Sequence, residues 1–181
     1  RIEFVSGDGA KEFVKKRELD SENKEKEEKL REQEKEKRLE QRQIAKERIP
    51  IIAKSLLECK QGTTTIDEIT IELAESGKAN FCYSDSNNYD DVFHIGLGEV
   101  LCKSDPKMVY CGLFEQGEKI RAIVYAGDEI SKEKSAGDIV KSISQILGGA
   151  GGGSAKFAQG GGTDKSKKED AIKNAKSMII E

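Results

Sequence analysis

Glycine dominates one short stretch near the end of this chain of 181 residues. Eight of the fifteen residues from 148 to 162 are glycine, and helix-patterned sequence lies on both sides. Glycine lets backbone N–H groups come close to a ligand, and the second glycine cluster runs directly into a helix start at Thr163 to Ser166. The stretch therefore predicts an anion-binding loop, and a disordered low-complexity linker is the alternative that its composition leaves open.

The residues around this loop indicate phosphate as the anion. Gly160, Gly161 and Gly162 are expected to direct free N–H groups at the N-terminus of the last helix, whose dipole favours negative charge. Four lysines lie close to this point in the sequence: Lys156, Lys165, Lys167 and Lys168. Acidic neighbours reduce their net charge, so shape and a few hydrogen bonds are expected to matter in binding. Phe157 has two possible roles, which are stacking on an exposed base and packing in the core.

A second unusual segment, residues 11–48, consists almost entirely of strong helix formers. Acidic residues precede basic ones by four positions at several places, and such pairs support a helix that has little core. A heptad phase through Leu30, Ile44 and Ile51 leaves polar residues at two seam positions. A solvated strut and a short coiled-coil interface are both consistent with this pattern. Pro50 is expected to interrupt the helix.

The sequence changes from charged to apolar around Pro50. The apolar patch consists of Ile49, Ile51, Ile52, Leu56 and Leu57. Gly62 is expected to cap this segment, and Thr65 with Glu68 matches a capping box that begins a second short helix. Two such helices are too small to fold alone. They are expected to pack on the globular part or on another chain, so self-association is one option.

The last hundred residues predict a mixed sheet with helices packed on it. The expected strands are 78–84, 107–114 and 119–126, with a hairpin turn at 115–118. The expected helices are 89–102, 136–147 and a final one that begins with a capping box at Ser166 and Glu169. The fold class is therefore α+β, with a long charged helix and a short helical subdomain before the sheet.

Composition narrows the classes of function. The chain has 31 Lys and Arg against 34 Asp and Glu, a net charge of −3, with an acidic middle and slightly basic flanks. A nucleic-acid surface needs only a local excess of positive charge, so this balance does not argue against one. No apolar run is long enough to cross a membrane, and no signal peptide or familiar catalytic motif is present.

The cysteines and the single histidine give no sign of a metal site. His94 has no partner at metal-ligand spacing, and no C-x-x-C pair occurs among the four cysteines. These cysteines are Cys59, Cys82, Cys102 and Cys111. We expect them to be buried reduced thiols.

Three successive segments resemble a known family. They are KIRAIVYAGDEIS at 119–131, AGDIVKSISQILGGAGGGSAKFAQGGG at 136–162, and the closing helix. The region from about residue 107 to 181 resembles the DHHA1 domain, in the version found at the C-terminal end of alanyl-tRNA synthetase. RIEFVSGDGA, residues 1–10, resembles the end of the editing domain of that enzyme.

The resemblance implies a fragment of a cytoplasmic, ATP-dependent ligase. The implied divisions are an editing-domain tail at 1–10, a connector and dimerisation subdomain at 11–76, and an RNA-binding DHHA1-like subdomain at 77–181. The fragment itself is expected to hold no catalytic residue, cofactor or metal, while the parent enzyme is expected to use ATP, Mg²⁺ and Zn²⁺. The implied partners are tRNA(Ala), contacted at its elbow, and a second copy of the chain. Neither a membrane nor DNA is expected.

The glycine motif of the family gives most of the expected RNA contacts, to which the lysines, Phe157 and Gln159 are added. The expected contacts are Gly148, Gly149, Gly151, Gly152, Gly153, Lys156, Phe157, Gln159, Gly160, Gly161, Gly162, Lys165, Lys167 and Lys168. The expected dimerisation residues are Leu30, Ile44, Ile49, Ile51, Ile52, Leu56 and Leu57.

Two other interpretations stay open. In DHH phosphodiesterases a related domain binds single-stranded nucleic acid. Those proteins usually place a histidine within the glycine loop, and the glycine segment of this chain contains no histidine. A purely structural dimerisation module would use the glycine segment as a tight turn and would have no affinity for tRNA.

Overall fold

The computed structural model describes residues 8–59, 61–66, 69–86 and 89–180. Residues 1–7, the larger part of the expected editing-domain tail, lie outside these ranges. Contacts divide the chain into two units, residues 1–40 and 41–181. The predicted α+β class is confirmed, because helices accompany a sheet of seven strands.

Helix α1 spans Asp8–Glu58, which confirms the helix predicted for the charged segment. Its residues up to position 40 are the described part of the first unit. Leu19, Leu30 and Leu39 are exposed there, and every side chain described in this unit is exposed. The helical state of this unit therefore rests on helix propensity and on charge pairs four residues apart.

Pro50 does not end the helix, so the predicted interruption is wrong. Five residues at helical spacing on either side of it are buried in one hydrophobic cluster: Ala45, Ile49, Ile52, Ala53 and Leu56. An interior proline costs a helix about 3 kcal/mol. Burial of each large aliphatic side chain contributes about 1.5–3 kcal/mol. The packing of this helix face therefore outweighs the cost of the exposed proline.

The short helix predicted from Thr65 onwards is also wrong, because this segment is a β-hairpin. Strand β1 (Gly62–Ile66) pairs antiparallel with β2 (Ile69–Glu75). In β2 the buried residues Ile69, Ile71 and Leu73 alternate with more exposed ones, which is the period of a strand. The capping-box residue Glu68 lies outside the described residues.

The other predicted strands and helices are confirmed. They are β3 (Asn80–Ser86), α2 (Asp91–Ser104), β4 (Met108–Gln116), β5 (Lys119–Ala126), α3 (Ala136–Ile146) and α4 (Lys168–Ile180). Two strands were not predicted, β6 (Ala150–Gly153) and β7 (Phe157–Gly162), and short 3₁₀ turns occupy Ile130–Lys132 and Lys165–Lys167. Asp164 caps the 3₁₀ turn before the final helix by accepting from the N–H of Ser166, and the Ser166 hydroxyl of the predicted capping box donates to the same carboxylate at 2.6 Å.

The seven strands form one sheet in the order β1-β2-β3-β4-β5-β7-β6. Strands β3 and β4 are parallel and are connected through α2, whereas all other neighbours are antiparallel. The boundary expected between residues 76 and 77 falls between β2 and β3, which pair with each other in this sheet.

Helices cover both faces of the sheet. On β4, Val109, Cys111 and Leu113 belong to a cluster with α3 and α4, whereas Met108 and Tyr110 belong to one with α1 and α2. This alternation along one strand assigns the two clusters to opposite faces. The second unit is therefore a three-layer arrangement with the sheet in the middle.

Three of the four cysteines are buried free thiols, as predicted. Burial raises the pKa of Cys102 to about 12, which keeps it protonated and unreactive. Cys59 is exposed, against the prediction, because it follows the end of α1 and belongs to neither hydrophobic cluster. No helix in the described ranges combines the length and the apolar character needed to span a membrane.

His94 lies in a buried hydrogen-bonded cluster between α2 and the sheet. Its Nδ1 is 2.7 Å from the Tyr110 hydroxyl and 3.2 Å from Ser84 Oγ, and its Nε2 is 3.1 Å from Ser86 Oγ. Burial lowers the pKa of His94 to about 3, so the ring is neutral in the fold. A side chain at Gly112 would place its Cβ 2.5 Å from Nδ1, so the ring fills its site.

We predict that His94 makes the fold less stable as the pH falls. Its pKa in the fold, about 3, lies below the ordinary value of 6.5. The unfolded chain therefore binds the additional proton first, and the stabilisation is complete above pH 6.5 and is lost progressively towards pH 3. The loss approaches about 1.4 kcal/mol per pH unit. Urea unfolding from pH 7.5 to 5 measures it.

The control is His94→Gln, which keeps a hydrogen-bonding side chain and removes the titration. His94 is the only histidine of the chain, so the free energy of unfolding of the variant is expected to change less with pH than that of the wild type. Identical pH profiles for the two proteins would contradict the neutral buried ring.

Candidate nucleic-acid interface

The glycine segment is a β-hairpin and not the predicted loop. Strand β7 lies between β5 and β6 and pairs antiparallel with both. Ser154 closes the turn, because its N–H donates to the Phe157 carbonyl at 2.7 Å. The segment was mistaken for a loop because glycines carry no side chains, so the two-residue period of a strand is absent from its sequence.

The expected cradle of free amides is also absent from this segment. The N–H groups of Gly148 and Gly149 donate to carbonyls of the last turn of α3, and that of Gly161 donates to Ser144 Oγ at 3.0 Å. Those of Thr163 and Asp164 both donate to the Leu147 carbonyl, at 3.0 and 2.9 Å. These bonds fix the hairpin to α3, so the amides are not available to an anion.

Glycine is required here mainly because α3 lies very close to the hairpin. A Cβ at Gly151 would come within 2.6 Å of Ser144 Oγ, and one at Gly160 would collide with the same oxygen. A Cβ at Gly161 would collide with the Ile120 carbonyl, and its φ of +152° is in a region that other residues rarely adopt. Gly152 is different, because nothing lies within 4 Å of the position its Cβ would take.

The opposite face of β5 and β7 carries the side chains that are not packed on α3. On this face, β5 residues lie next to β7 residues in three pairs, which are Tyr125 with Phe157, Ile123 with Gln159, and Arg121 with Gly161. The rings of Tyr125 and Phe157 are 4.7 Å apart at their centroids, and both residues are half-buried. Phe157 is therefore packed on a neighbouring ring and still partly accessible.

A groove of about 450 Å³ lies at one end of this face. Its lining is Lys119, Ile120, Arg121, Gly148, Gly149, Ala150, Gln159, Gly160, Gly161, Gly162 and Thr163. The structure thus brings together six of the predicted contacts: Gly148, Gly149, Gln159, Gly160, Gly161 and Gly162. Five other predicted contacts lie in β6, in the hairpin turn or at the start of β7 and do not line the groove. They are Gly151, Gly152, Gly153, Lys156 and Phe157.

The four predicted lysines are each paired with a carboxylate. Lys156 pairs with Asp128 at 2.8 Å, Lys165 with Glu115, Lys167 with Asp164 at 3.3 Å, and Lys168 with Asp85 at 2.6 Å. Lys156 precedes the first residue of β7, whereas the other three follow its last residue, so the lysines do not surround one point. Their positive charges are therefore compensated within the chain.

The pKa values of the partner carboxyls agree with these pairs. Hydrogen bonds from Lys165 and Lys156 lower the pKa of Glu115 and of Asp128 respectively, and a hydrogen bond from Ser166, followed by one from Lys167, lowers the pKa of Asp164. All three carboxylates are therefore ionised at neutral pH and neutralise their partners.

Lys119 and Arg121 are the groove residues that the sequence analysis missed. Both lie on β5, where they alternate with the buried residues Ile120 and Ala122. The signal was present in KIRA, since a strand with one buried face directs its alternate residues to the other face. Neither cation forms an ion pair or a side-chain hydrogen bond with any residue that the structure describes.

The predicted dimerisation residues separate into two groups. Ile49, Ile52 and Leu56 are buried in the core of their own chain. Leu30, Ile44, Ile51 and Leu57 are exposed. Leu30 belongs to the first unit and the other three exposed residues to the second. Only the exposed group is accessible to a partner in this structure.

Within the described ranges, no group of three or more His, Cys, Asp and Glu side chains has an arrangement that could hold a metal ion. The fold and the groove together describe an α+β domain with a glycine-lined, partly basic sheet face. The DHHA1 domain family matches residues 81–181, which is more than half of the sequence. The chain belongs to the DHHA1 family.

Relatives agree with the resemblance stated from sequence. The alanine–tRNA ligase of Nitrosopumilus maritimus is 42% identical to this chain over 180 residues. That of Cenarchaeum symbiosum is 34% identical to it over 184 residues. Each alignment covers 99% of this chain and 19% of the relative, so the chain spans about a fifth of their length. The C-Ala domain of Aquifex aeolicus alanyl-tRNA synthetase matches with a TM-score of 0.57 and 25% identity, over 61% of this chain and 99% of that domain. The resemblance is therefore confirmed.

We predict that glycine is needed at position 160 and not at position 152. Gly160→Ala places a Cβ against Ser144 Oγ and 2.6 Å from the Gly151 Cα, so it is expected to destabilise the fold by roughly 1–3 kcal/mol. Gly152→Ala, in the neighbouring strand, meets open space and is the matched control. Its expected effect is within about 0.5 kcal/mol of zero. Urea unfolding of both variants tests this, and equal losses would contradict the close approach of α3.

Proposed function

We propose that this chain is the tRNA-binding C-terminal part of an alanine–tRNA ligase and that it contacts the elbow of tRNA(Ala). The observation that carries the proposal is the glycine-lined groove on a sheet face, in a chain whose relatives are alanine–tRNA ligases over 99% of its length. In this proposal the chain holds the tRNA, and regions outside it catalyse aminoacylation and editing.

The chemistry of the face suits the backbone and loops of a folded RNA. A floor of glycine lets a ribose–phosphate chain approach the sheet closely. Gln159, which is exposed, offers an amide that donates and accepts hydrogen bonds. Tyr125 and Phe157 are half-buried beside it and offer ring surface to an unstacked base. Such a face recognises shape and exposed bases more than a run of phosphates.

The compensated lysines also favour recognition by shape. A binding surface rich in free lysines would attach to any polyanion with a steep dependence on salt. Here Lys156, Lys165, Lys167 and Lys168 each have a carboxylate partner, so their electrostatic attraction for phosphate is reduced. Direct contacts of these four lysines and of the glycines with RNA remain part of the proposal.

We predict that the chain binds full-length tRNA(Ala) more tightly than an acceptor minihelix that lacks the elbow. At about 0.1 M salt we expect a difference of at least tenfold in the dissociation constant, since each tenfold corresponds to about 1.4 kcal/mol of binding free energy. Fluorescence anisotropy with both labelled RNAs, repeated over a salt series, measures it.

A tRNA of another amino-acid specificity separates shape from identity. If the elbow alone is recognised, this tRNA binds about as well as tRNA(Ala). Equal affinity for the minihelix and the full tRNA would refute recognition of the elbow. No measurable affinity for any tRNA would favour the purely structural module.

We further infer that two copies of the chain associate through exposed apolar residues of α1. Ile44 and Ile51 are seven residues apart, so they lie on one face of the helix, and both are exposed. A contiguous patch of exposed apolar side chains marks an association surface, and in this proposal Ile44 and Ile51 belong to one. Ile49, Ile52 and Leu56 would support this surface from the core behind it.

We predict that Ile44→Glu with Ile51→Glu converts a micromolar dimer into a monomer, because two carboxylates cannot be buried without partners. The matched control is Gln43→Glu with Gln61→Glu, which adds the same charge at two other exposed positions of the same unit. Sedimentation equilibrium measures both variants. A wild-type protein that is monomeric at micromolar concentration would remove the proposed dimer, and dissociation of both variants would show that charge alone is responsible.

The remaining expectations about the parent enzyme belong to the same proposal. A cytoplasmic ligase that uses ATP, Mg²⁺ and Zn²⁺ would use them in regions that this chain does not include. Its contribution to both alanylation and editing would be to position the tRNA.

A further inference from the structure

We propose that Lys119 and Arg121 are the residues that contact the phosphates of the bound RNA. The four predicted lysines have a smaller part in this assignment, because each already has a carboxylate partner. This inference rests on the proposed function and adds to it the charged residues by which the groove recognises a ribose–phosphate backbone.

Positive charge in the groove comes mainly from side chains. The amides of Gly148, Gly149, Gly161 and Thr163 do not supply it, since they already donate to acceptors within the chain. Lys119 and Arg121 are the two cationic residues among those that line the groove.

These two cations differ from the predicted lysines in having no carboxylate partner among the described residues. Lys165, Lys167 and Lys168 each have a carboxylate partner, and RNA would have to compete with that partner for each ammonium group. Lys119 and Arg121 have no such partner among the described residues. A phosphate can therefore pair with them without breaking an existing ion pair.

The floor of the groove beside Arg121 is open to a ribose–phosphate backbone. Arg121 faces Gly161 in the register of β5 and β7, and Gly161 faces Ala150 of β6. At these positions β7 and β6 therefore carry no side chain larger than a methyl group. The open floor that results is about 10 Å wide. The planar guanidinium can present two parallel N–H donors to a phosphate lying on this floor.

The test compares three variants of the chain for binding to tRNA(Ala) over a salt series. Lys119→Ala with Arg121→Ala removes the two unpaired cations of the groove. Lys132→Ala with Lys134→Ala is the matched control, because it removes the same charge just beyond the opposite end of β5. Lys119→Arg with Arg121→Lys keeps the charge and exchanges the donor geometry.

We expect the first variant to weaken binding by roughly tenfold at about 0.1 M salt. The slope of log affinity against log salt should fall by about one for each phosphate that is no longer neutralised. The control should stay within about twofold of the wild type, since long-range charge is screened. The exchanged variant should keep the salt slope and bind somewhat less tightly, because a lysine cannot form the bidentate pair.

Two outcomes would overturn this assignment while the proposed function stands. One is a wild type that binds tRNA and a first variant that binds equally well. The other is an equal loss of affinity in the first variant and the control, which would show that only net charge matters. A wild type without affinity for any tRNA would instead overturn the proposed function itself. Far-ultraviolet circular dichroism checks that each variant is folded, which is expected because none of the four substituted side chains is fully buried.

Discussion

The close packing of α3 on the β6–β7 hairpin determines much of the second unit. Ser144 is fully buried on α3, and its hydroxyl receives the Gly161 N–H at 3.0 Å. No side chain fits between them at Gly151 or Gly160, so the strands must be glycine where the helix crosses them. On the opposite face, Gly161 and Ala150 lie next to each other and leave a stretch of the two strands without a large side chain. The groove is a consequence of the way the hairpin packs.

Elements with a strong hydrophobic period could be predicted from the sequence, whereas those fixed by distant contacts could not. Helix α3 and strand β5 were predicted because their apolar residues repeat every three to four and every two positions. The β1–β2 hairpin was predicted as a helix because Ile66, Ile69 and Leu73 also match a helical spacing. Strands β6 and β7 have no such period, and only their pairing with β5 identifies them.

Six of the residues predicted as RNA contacts line one groove, and the others do not. The glycines of the groove were found because their clustering is visible in the sequence. The carboxylate partners of two of the lysines could not be predicted because they are remote in the sequence: Lys168 and Asp85 are 83 residues apart, and Lys165 and Glu115 are 50 apart. A count of nearby charges cannot include such partners. Lys119 and Arg121 were overlooked because they lie in a strand that is far from the glycine cluster in the sequence, and only the pairing of β5 with β7 brings them to the groove.

On the proposed function, a groove in which two cations have no partner among the described residues implies weak binding of RNA by the isolated chain. Each phosphate contact contributes modestly at physiological salt, so a surface of this kind cannot hold tRNA by charge alone. A weak contact becomes effective when it is linked to other sites, because the second binding event is then intramolecular. On the proposed function, the catalytic and editing regions and a second copy of the chain supply those linked sites. On the same proposal, the carboxylate partners of the other lysines limit non-specific retention of RNA, because a strongly basic face binds any polyanion.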